Sequence, residues 1–344
     1  MHNMIRELCA LSGISGQESS VREYIVEHLK NAPAVSDIRT DSLGNCIVTL
    51  KGENPAPHRV VFAAHMDEVG GIVTGITDDG YLRFDVVGGI NKDALFGKTV
   101  YVNGHIGVIG GKAVHLCSGD EKNTVPARSS MRIDIGADSE AEARNVACEG
   151  DAVTFSTECF ALDDQSVCAK ALDDRIGCAL LLQLARTVPK CDITFVFTVQ
   201  EEIGTRGATT AAFALQPEIS VVIDSTTASD LLGVAKENHV TTFGCGPVVS
   251  FMDRGTLYDH DLYREIRQIA TEHDIPTQTK TTVAGGNDSR AFQLTGVGSR
   301  VAAVSMPCRY IHSPASVYSQ KDAEHTLHLL KILRDHLPSW EFSV

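Results

Sequence analysis

The stretch DITFVFTVQEEIGTRG, residues 192–207, indicates how this chain folds. Apolar and β-branched residues run as far as Val199, and two adjacent glutamates, Glu201 and Glu202, follow almost at once. A run of this kind predicts a strand buried on both faces, as in a parallel sheet covered by helices. Carboxylates after such a strand are either solvated loop charges or parts of a functional site, and partners elsewhere in the chain decide which.

The composition is that of a globular protein, and it excludes several functions. The 344 residues are 43% hydrophobic and 22% charged, which allows a large core and two domains. Thirty Lys and Arg against 44 Asp and Glu give a formal net charge of −14, which argues against nucleic acids and membranes as partners. No apolar run has the length of a membrane span, and the ten cysteines contain no CxxC pair. We therefore expect a reduced, cytoplasmic protein.

The order of the elements predicts an α/β fold: a mostly parallel central sheet flanked by helices, with an inserted small β-barrel or sandwich domain. From about residue 160 onward, apolar strands alternate with helical segments such as DDRIGCALLLQLARTV. Residues 68–157 differ, because short alternating strands are separated by DG, NG and GG turns. We predict a discontinuous α/β domain over residues 1–67 and 158–344, interrupted by a β-rich domain over residues 68–157.

Three of the predicted strands end at residues that can bind a metal or move a proton. VVFAAHMD ends with His65 and Asp67, ITFVFTVQEE ends with Glu201 and Glu202, and SVVIDST ends with Asp224. In an open parallel sheet the functional crevice lies outside the carboxyl ends of the strands. The five side chains are therefore expected at one edge of the sheet.

Two further segments supply candidates for the same edge. Asp173 and Asp174 begin a helix in KALDDRIG, and His312 follows the VAAVS strand in RYIHSPAS. Taken singly, these residues have structural explanations, such as carboxylates at a helix N-terminus or a buried histidine. Taken together with the strand-end residues, they form the imidazole and carboxylate set that suits zinc, cobalt or manganese.

The residue types allow a pair of divalent ions about 3.5–4 Å apart. In this scheme the ligands of one ion are His65 and Asp224, and those of the other are Glu202 and His312. A bridging carboxylate comes from the adjacent aspartates of KALDDRIG, which the pattern alone does not distinguish. The scheme predicts a metal-dependent hydrolase.

Two residues of this group are left for catalytic roles. Glu201 has no ligand role and is free to accept a proton from the attacking water. Asp67 is placed to accept the second ring N–H of His65 and so to orient that ligand. The adjacent glutamates would then divide the work between a ligand and a general base.

Five motifs, AAHMDEVGG, KALDDRIG, VQEEIGTRGA, VVIDST and RYIHSPAS, together resemble those of the dinuclear zinc aminopeptidases of the tetrahedral (TET) and glutamyl-aminopeptidase type. LSGISGQESSVREYI and GGNDSRAFQLTG are similar to that family as well, so the resemblance spans almost the whole chain. It implies an aminopeptidase that removes the N-terminal residue from short peptides with a free N-terminus. It also implies two divalent ions, of zinc or alternatively of cobalt or manganese, with Asp173 rather than Asp174 as the bridging ligand.

The resemblance carries three further implications. The domain over residues 68–157 is expected to mediate dimerisation, and the dimers to build a homo-oligomer, a dodecamer in similar proteins. Gly285 and Gly286 of GGND are expected to border the substrate. Many relatives carry Thr where this chain has Asn287, which bears on the preferred substrate side chain.

Two other functions are compatible with the same residues. The metal pair could serve a carboxypeptidase or a deacylase, which would accept a substrate with a blocked amine. A non-catalytic scaffold on a hydrolase fold is expected to have lost Glu201 or a ligand, and the sequence shows no such loss.

Overall fold

The computed structural model describes residues 1–342. Residues 343 and 344, which the predicted α/β domain includes, lie outside the described part. The eight α-helices of that part are α1 His2–Ala10, α2 Ser19–Leu29, α3 Glu140–Ala143, α4 Leu172–Leu184, α5 Arg206–Leu215, α6 His260–Glu272, α7 Ser289–Leu294 and α8 Gln320–His336.

The strands of residues 1–342 form two separate sheets. Those of the first sheet are β1 Val35–Thr40, β2 Cys46–Leu50, β3 Val60–His65, β10 Phe160–Ala161, β11 Ser166–Ala169, β12 Ile193–Thr198, β13 Ile219–Thr227, β14 Val248–Val249, β15 Gln278–Thr279, β16 Arg300–Arg309 and β17 Ser316–Ser319. Those of the second sheet are β4 Gly70–Ile76, β5 Leu82–Val87, β6 Thr99–Val102, β7 His105–Gly110, β8 Arg132–Asp134 and β9 Ala152–Phe155.

The first sheet has eleven strands, nine of them in the order β1-β2-β12-β3-β13-β16-β17-β11-β10. Its centre, β12-β3-β13-β16, is parallel, whereas β1, β2 and β17 pair antiparallel with their neighbours. The predicted α/β class is confirmed, with parallel pairing concentrated in the central strands. A tight turn explains one antiparallel flank, because the Asp41 carboxylate accepts the amides of Leu43, Gly44 and Asn45 and reverses the chain from β1 into β2.

Alternate residues of the central strands pack into two different cores. Phe62 and Phe195 face a large core with α1, α2, α4, α6 and α8, and their rings stack with centroids 6.0 Å apart. Val61 and Val196 face a smaller core with α5 and α7. Because both faces are covered, residues on both sides of the central strands are mainly apolar, which explains why the run that begins at residue 193 does not alternate with charged residues.

The second sheet is a closed barrel in the order β4-β5-β8-β7-β6-β9, with its own apolar core. It decides between the two forms predicted for the insertion in favour of a barrel. The NG pair predicted as a turn joins β6 to β7, with φ of 48° at Asn103 and 79° at Gly104. Two successive positive φ values suit a two-residue hairpin turn, and they explain why this dipeptide stands here.

Two expectations from composition can be compared with the structure. No helix within residues 1–342 combines the length and the apolar character needed to cross a membrane. All ten cysteines are free thiols. Cys178 is buried, and its thiol donates to the His65 carbonyl at 3.1 Å, so it packs as part of the core beneath the predicted site.

Candidate metal centre and active site

The carboxyl ends of the parallel strands lie at one edge of the sheet, as predicted. His65 is the last residue of β3 and pairs in register with Thr198, the last residue of β12. Asp224 lies in the neighbouring strand β13, and Glu201 follows β12. A cavity of about 440 Å³ at this edge is lined by His65, Asp173, Glu201, Asp224 and His312, among others.

Asp173 lies between the two histidines. Its Oδ1 is 3.1 Å from Nε2 of His65, and its Oδ2 is 3.3 Å from Nε2 of His312. Each oxygen of one carboxylate therefore faces a different imidazole. The same ring nitrogens also face a second carboxylate: Asp224 Oδ1 is 3.9 Å from Nε2 of His65, and Glu202 Oε2 is 3.5 Å from Nε2 of His312.

The carboxylates of this cluster are buried with too few cations to balance them. Burial, with the nearby charge of Asp173, raises the pKa of Glu202 to about 7. Burial also raises the pKa of Asp224 well above its usual range, and Asp173 and Asp174 add to the effect. One oxygen of Glu202 and one of Asp174 are buried without a hydrogen-bond partner. Such groups need a positive charge nearby.

The two histidines respond to the same excess of negative charge. Hydrogen bonding to Asp173 raises the pKa of His312 to about 9, although burial opposes it. Burial lowers the pKa of His65, but the contacts to Asp173 and Asp67 outweigh it, and the result lies well above the usual value. Both raised pKa values reflect an excess of negative charge that a divalent cation at this site would balance.

The donor set fits a divalent metal. His65, Asp173 and Glu202 offer ligand atoms within 4.8 Å of one another, and so do His65, Asp174 and Asp224. Imidazole nitrogen and carboxylate oxygen are the ligands of catalytic zinc sites. Asp174 therefore lies in the cluster together with Asp173. The sequence pattern did not distinguish the two as a bridging ligand, and the resemblance implied Asp173 alone.

Asp67 contacts His65 differently from the prediction. The Nδ1 atom of His65 makes its 3.0 Å hydrogen bond to the backbone carbonyl of Asp67, while the carboxylate lies 3.4 Å away. That carboxylate accepts the amides of Glu201 and Glu202 at 2.9 and 3.1 Å and the Ser15 hydroxyl at 2.6 Å. Asp67 therefore orients the loop of the paired glutamates as well as the histidine.

Two buried acids near the glutamates were not recognised in the sequence. Glu18 accepts the amide of Gln200 at 3.1 Å, which holds the loop just before Glu201. Asp288 accepts the Thr198 hydroxyl at 2.6 Å, and its other oxygen is buried without a partner. Asp288 stands in the segment GGNDSR, and no pattern in the sequence links that segment to the end of β12.

The lining of the cavity also includes a different part of the chain. Gly285 and Gly286 line the cavity, as does Lys280, whose ammonium donates to the Ala284 carbonyl at 2.8 Å. Asn287 is buried outside this lining and donates to the Tyr258 hydroxyl at 3.1 Å. Its side chain therefore stabilises the loop behind the glycines.

A sheet whose carboxyl edge carries histidines and buried carboxylates beside an open cavity is typical of metal-dependent hydrolases. Comparison with known proteins gives the same class. Residues 44–329 match the model of the M42 glutamyl aminopeptidase family. The chain belongs to this family: it is an aminopeptidase, and the family implies a divalent metal.

Individual relatives are similar over nearly their whole length. The chain is 31% identical to the lysyl aminopeptidase of Pyrococcus furiosus, covering 99% of this chain and 98% of that one. A TET aminopeptidase from a marine sediment archaeon superposes with a TM-score of 0.93 at 30% identity, covering 98% and 96%. The TET1 peptidase of Pyrococcus horikoshii, which can assemble into a tetrahedron or a large octahedral shell, has a TM-score of 0.85 at 35% identity, covering 97% and 98%.

Proposed function

We propose that this aminopeptidase uses two divalent ions and Glu201 as general base. The observation that carries the proposal is the position of Asp173, with one oxygen toward His65 and the other toward His312. Asp173 would bridge the ions, His65 and Asp224 would bind one, and Glu202 and His312 the other. The imidazole and carboxylate donors suit zinc, with cobalt or manganese as the alternatives.

When bound, the ion pair would polarise the scissile carbonyl and lower the pKa of the attacking water. The side chain of Glu201 lines the cavity, and the Asp67 carboxylate holds its backbone amide at 2.9 Å. Burial raises the pKa of Glu201 well above its usual range, with Asp288 and Glu202 adding to the effect. A carboxylate with a raised pKa suits proton transfer near neutral pH, both from the water and to the leaving amine.

The requirement for a free N-terminus is proposed from the aminopeptidase family to which the chain belongs. Gly285 and Gly286, which line the same cavity, would leave room for the substrate backbone to lie against them. We propose both as substrate-binding residues.

Lys280 supports a preference for an acidic N-terminal residue. It lines the same cavity, and its hydrogen bond to Ala284 uses one of the three donors of the ammonium group. The remaining donors can bind a substrate carboxylate with a charge-assisted hydrogen bond. The family model is named for glutamyl activity and the Pyrococcus furiosus relative for lysyl activity, so this pocket cation is what favours the acidic class here.

The barrel has a proposed role in assembly. We divide the chain into a peptidase domain over residues 1–67 and 158–344 and a dimerisation domain over residues 68–157. The strand β7 and the segment after it carry the exposed apolar side chains of Ile106, Val114 and Leu116, which a second copy of the chain would cover. Dodecamers, as proposed from the resemblance, would then restrict substrates to short peptides.

A chelator-stripped protein tests the proposed function. Its initial rates on a panel of aminoacyl-p-nitroanilides are measured after refilling with Zn²⁺, Co²⁺ or Mn²⁺. We expect metal-restored cleavage, highest with Glu or Asp, and no cleavage of N-acetylated peptides. Cleavage of blocked substrates instead would indicate a deacylase, and two bound ions with no cleavage of any substrate would indicate a scaffold.

A further inference from the structure

The inserted barrel reaches back to the candidate metal centre through one turn. Gly88 and Gly89 follow β5 directly. The Nδ1 atom of His312 lies 3.0 Å from the Gly89 carbonyl, so with Nε2 turned toward Asp173 the Nδ1–H donates to that carbonyl. A residue of the barrel thereby sets the tautomer and the ring orientation of a candidate ligand from the other domain.

The same turn also contacts the second candidate ligand of this ion. A Cβ atom on Gly88 would lie 3.3 Å from Cβ of Glu202 and 2.8 Å from a methyl group of Val69. Gly88 has φ +82°, which favours glycine independently of the close contacts. A Cβ atom on Gly89 would lie 3.2 Å from Nδ1 of His312. A side chain at either position would therefore press on a candidate ligand, although at Gly88 its closest contact would be Val69.

The other half of the centre is held differently. His65 pairs with Thr198 in the sheet, and Asp224 pairs with Ser305 of β16. Both ligands are therefore fixed by the hydrogen-bonded strands of the peptidase domain. His312, in contrast, follows the end of β16 on a loop and has φ +57°, and Glu202 lies on the loop after β12.

We infer that the Gly88–Gly89 turn is a positioning element for the ion held by Glu202 and His312, so that the barrel completes one half of the metal centre. This inference rests on the proposed two-ion function. It gives the inserted domain a part in catalysis that is separate from assembly. A turn that merely packs the two domains together would leave both ion affinities unchanged when it is altered.

Gly89→Ala tests the inference in the full-length protein. The added methyl group must move the His312 ring by a few tenths of an ångström, which approaches the tolerance of about 0.5 Å within which functional groups must be held. Gly110→Ala is the matched control, because Gly110 lies in the same barrel and a Cβ there would meet no atom within 4 Å. Gly88→Ala is a second variant, whose added methyl group would meet Val69 at 2.8 Å and Glu202 at 3.3 Å.

The measurement is a Zn²⁺ titration of each stripped protein with a competing chelator, with the metal content confirmed by elemental analysis. We expect Gly89→Ala to weaken one of the two sites by about 10-fold or more, as for other changes around metal ligands, and the other by less than about 2-fold. Gly110→Ala should bind like the wild type. Circular dichroism and cooperative thermal unfolding establish that each variant is folded.

Two wild-type affinities in both turn variants would overturn the inference, and so would equal losses at the two sites. If the wild-type protein itself bound fewer than two ions, the proposed function would fail first, which separates the two failures. Hydrogen exchange in the wild type needs no variant: Zn²⁺ should slow exchange in residues 86–92. An unchanged exchange rate in these residues would also contradict the proposed positioning role of the turn.

Discussion

Replacing Glu201 by Gln removes the proposed base while keeping the shape of the side chain. Neither group of candidate ligand atoms includes Glu201, so both ions are expected to bind the variant. The loss of general acid–base catalysis lowers the rate by about 10²–10⁴, or about 3–5 kcal/mol of barrier. We therefore expect kcat to fall by this factor with the metal content unchanged.

The same variant should also differ from the wild type in the thermal stability of its metal-free form. The pKa of Glu201 is raised in the folded state, so the unfolded chain releases this proton first, and stability falls as the pH rises above the unfolded value. At neutral pH the Gln variant avoids that penalty. The metal-free Glu201→Gln protein should therefore unfold at the same temperature as the wild type or at a higher one.

The assay combines initial rates on a cleaved aminoacyl-p-nitroanilide, metal content and thermal unfolding of the stripped form. Glu202→Gln is the matched control, since it changes the adjacent residue in the same way and should lose an ion. Near-native turnover of Glu201→Gln would refute the reasoning. Loss of one ion from Glu201→Gln, with both ions retained by Glu202→Gln, would show that the two glutamates had been assigned the wrong way round.

Two further substitutions and one binding measurement test other parts of the site. Asp173→Ala should abolish measurable activity and weaken both ions, because one carboxylate faces both histidines, and loss of a single ion in elemental analysis would contradict the bridging role. Lys280→Met should lower kcat/KM for Glu-p-nitroanilide relative to Leu-p-nitroanilide by about 10- to 100-fold, the worth of a hydrogen bond to a charged group, and an unchanged ratio would remove Lys280 from specificity. In the metal-free protein the pKa of His312 is raised to about 9 and that of Glu202 to about 7, so zinc binding at pH 7 must displace protons and the apparent affinity must rise with pH. Calorimetry in buffers of different ionisation enthalpy measures that release, and a value of zero would contradict the assignment.

Much of the fold was predictable because it depends on short-range patterns. Residues 193–199 predict a strand covered on both faces, and its two cores confirm this. The NG pair at Asn103 predicted a hairpin turn, and both of its residues have the positive φ that such a turn requires. The break in pattern over residues 68–157 predicted a β-rich insertion, and the barrel strands lie within it. The short flanking strands were less predictable, since antiparallel pairing depends on which neighbour a hairpin can reach.

The sequence by itself determined which residue types stand at the ends of the strands, and with them the expectation of a metal. Only the tertiary structure decided how they meet. Asp173 lies between histidines that are 108 residues before it and 139 residues after it, and Lys280 enters the cavity on a loop with no strand pattern. The contact from the Gly89 carbonyl to His312 is made by the backbone, so no residue type in the sequence indicates it. Local periodicity records which face of a strand is buried, whereas distances between segments remote in sequence depend on packing, which no local pattern contains.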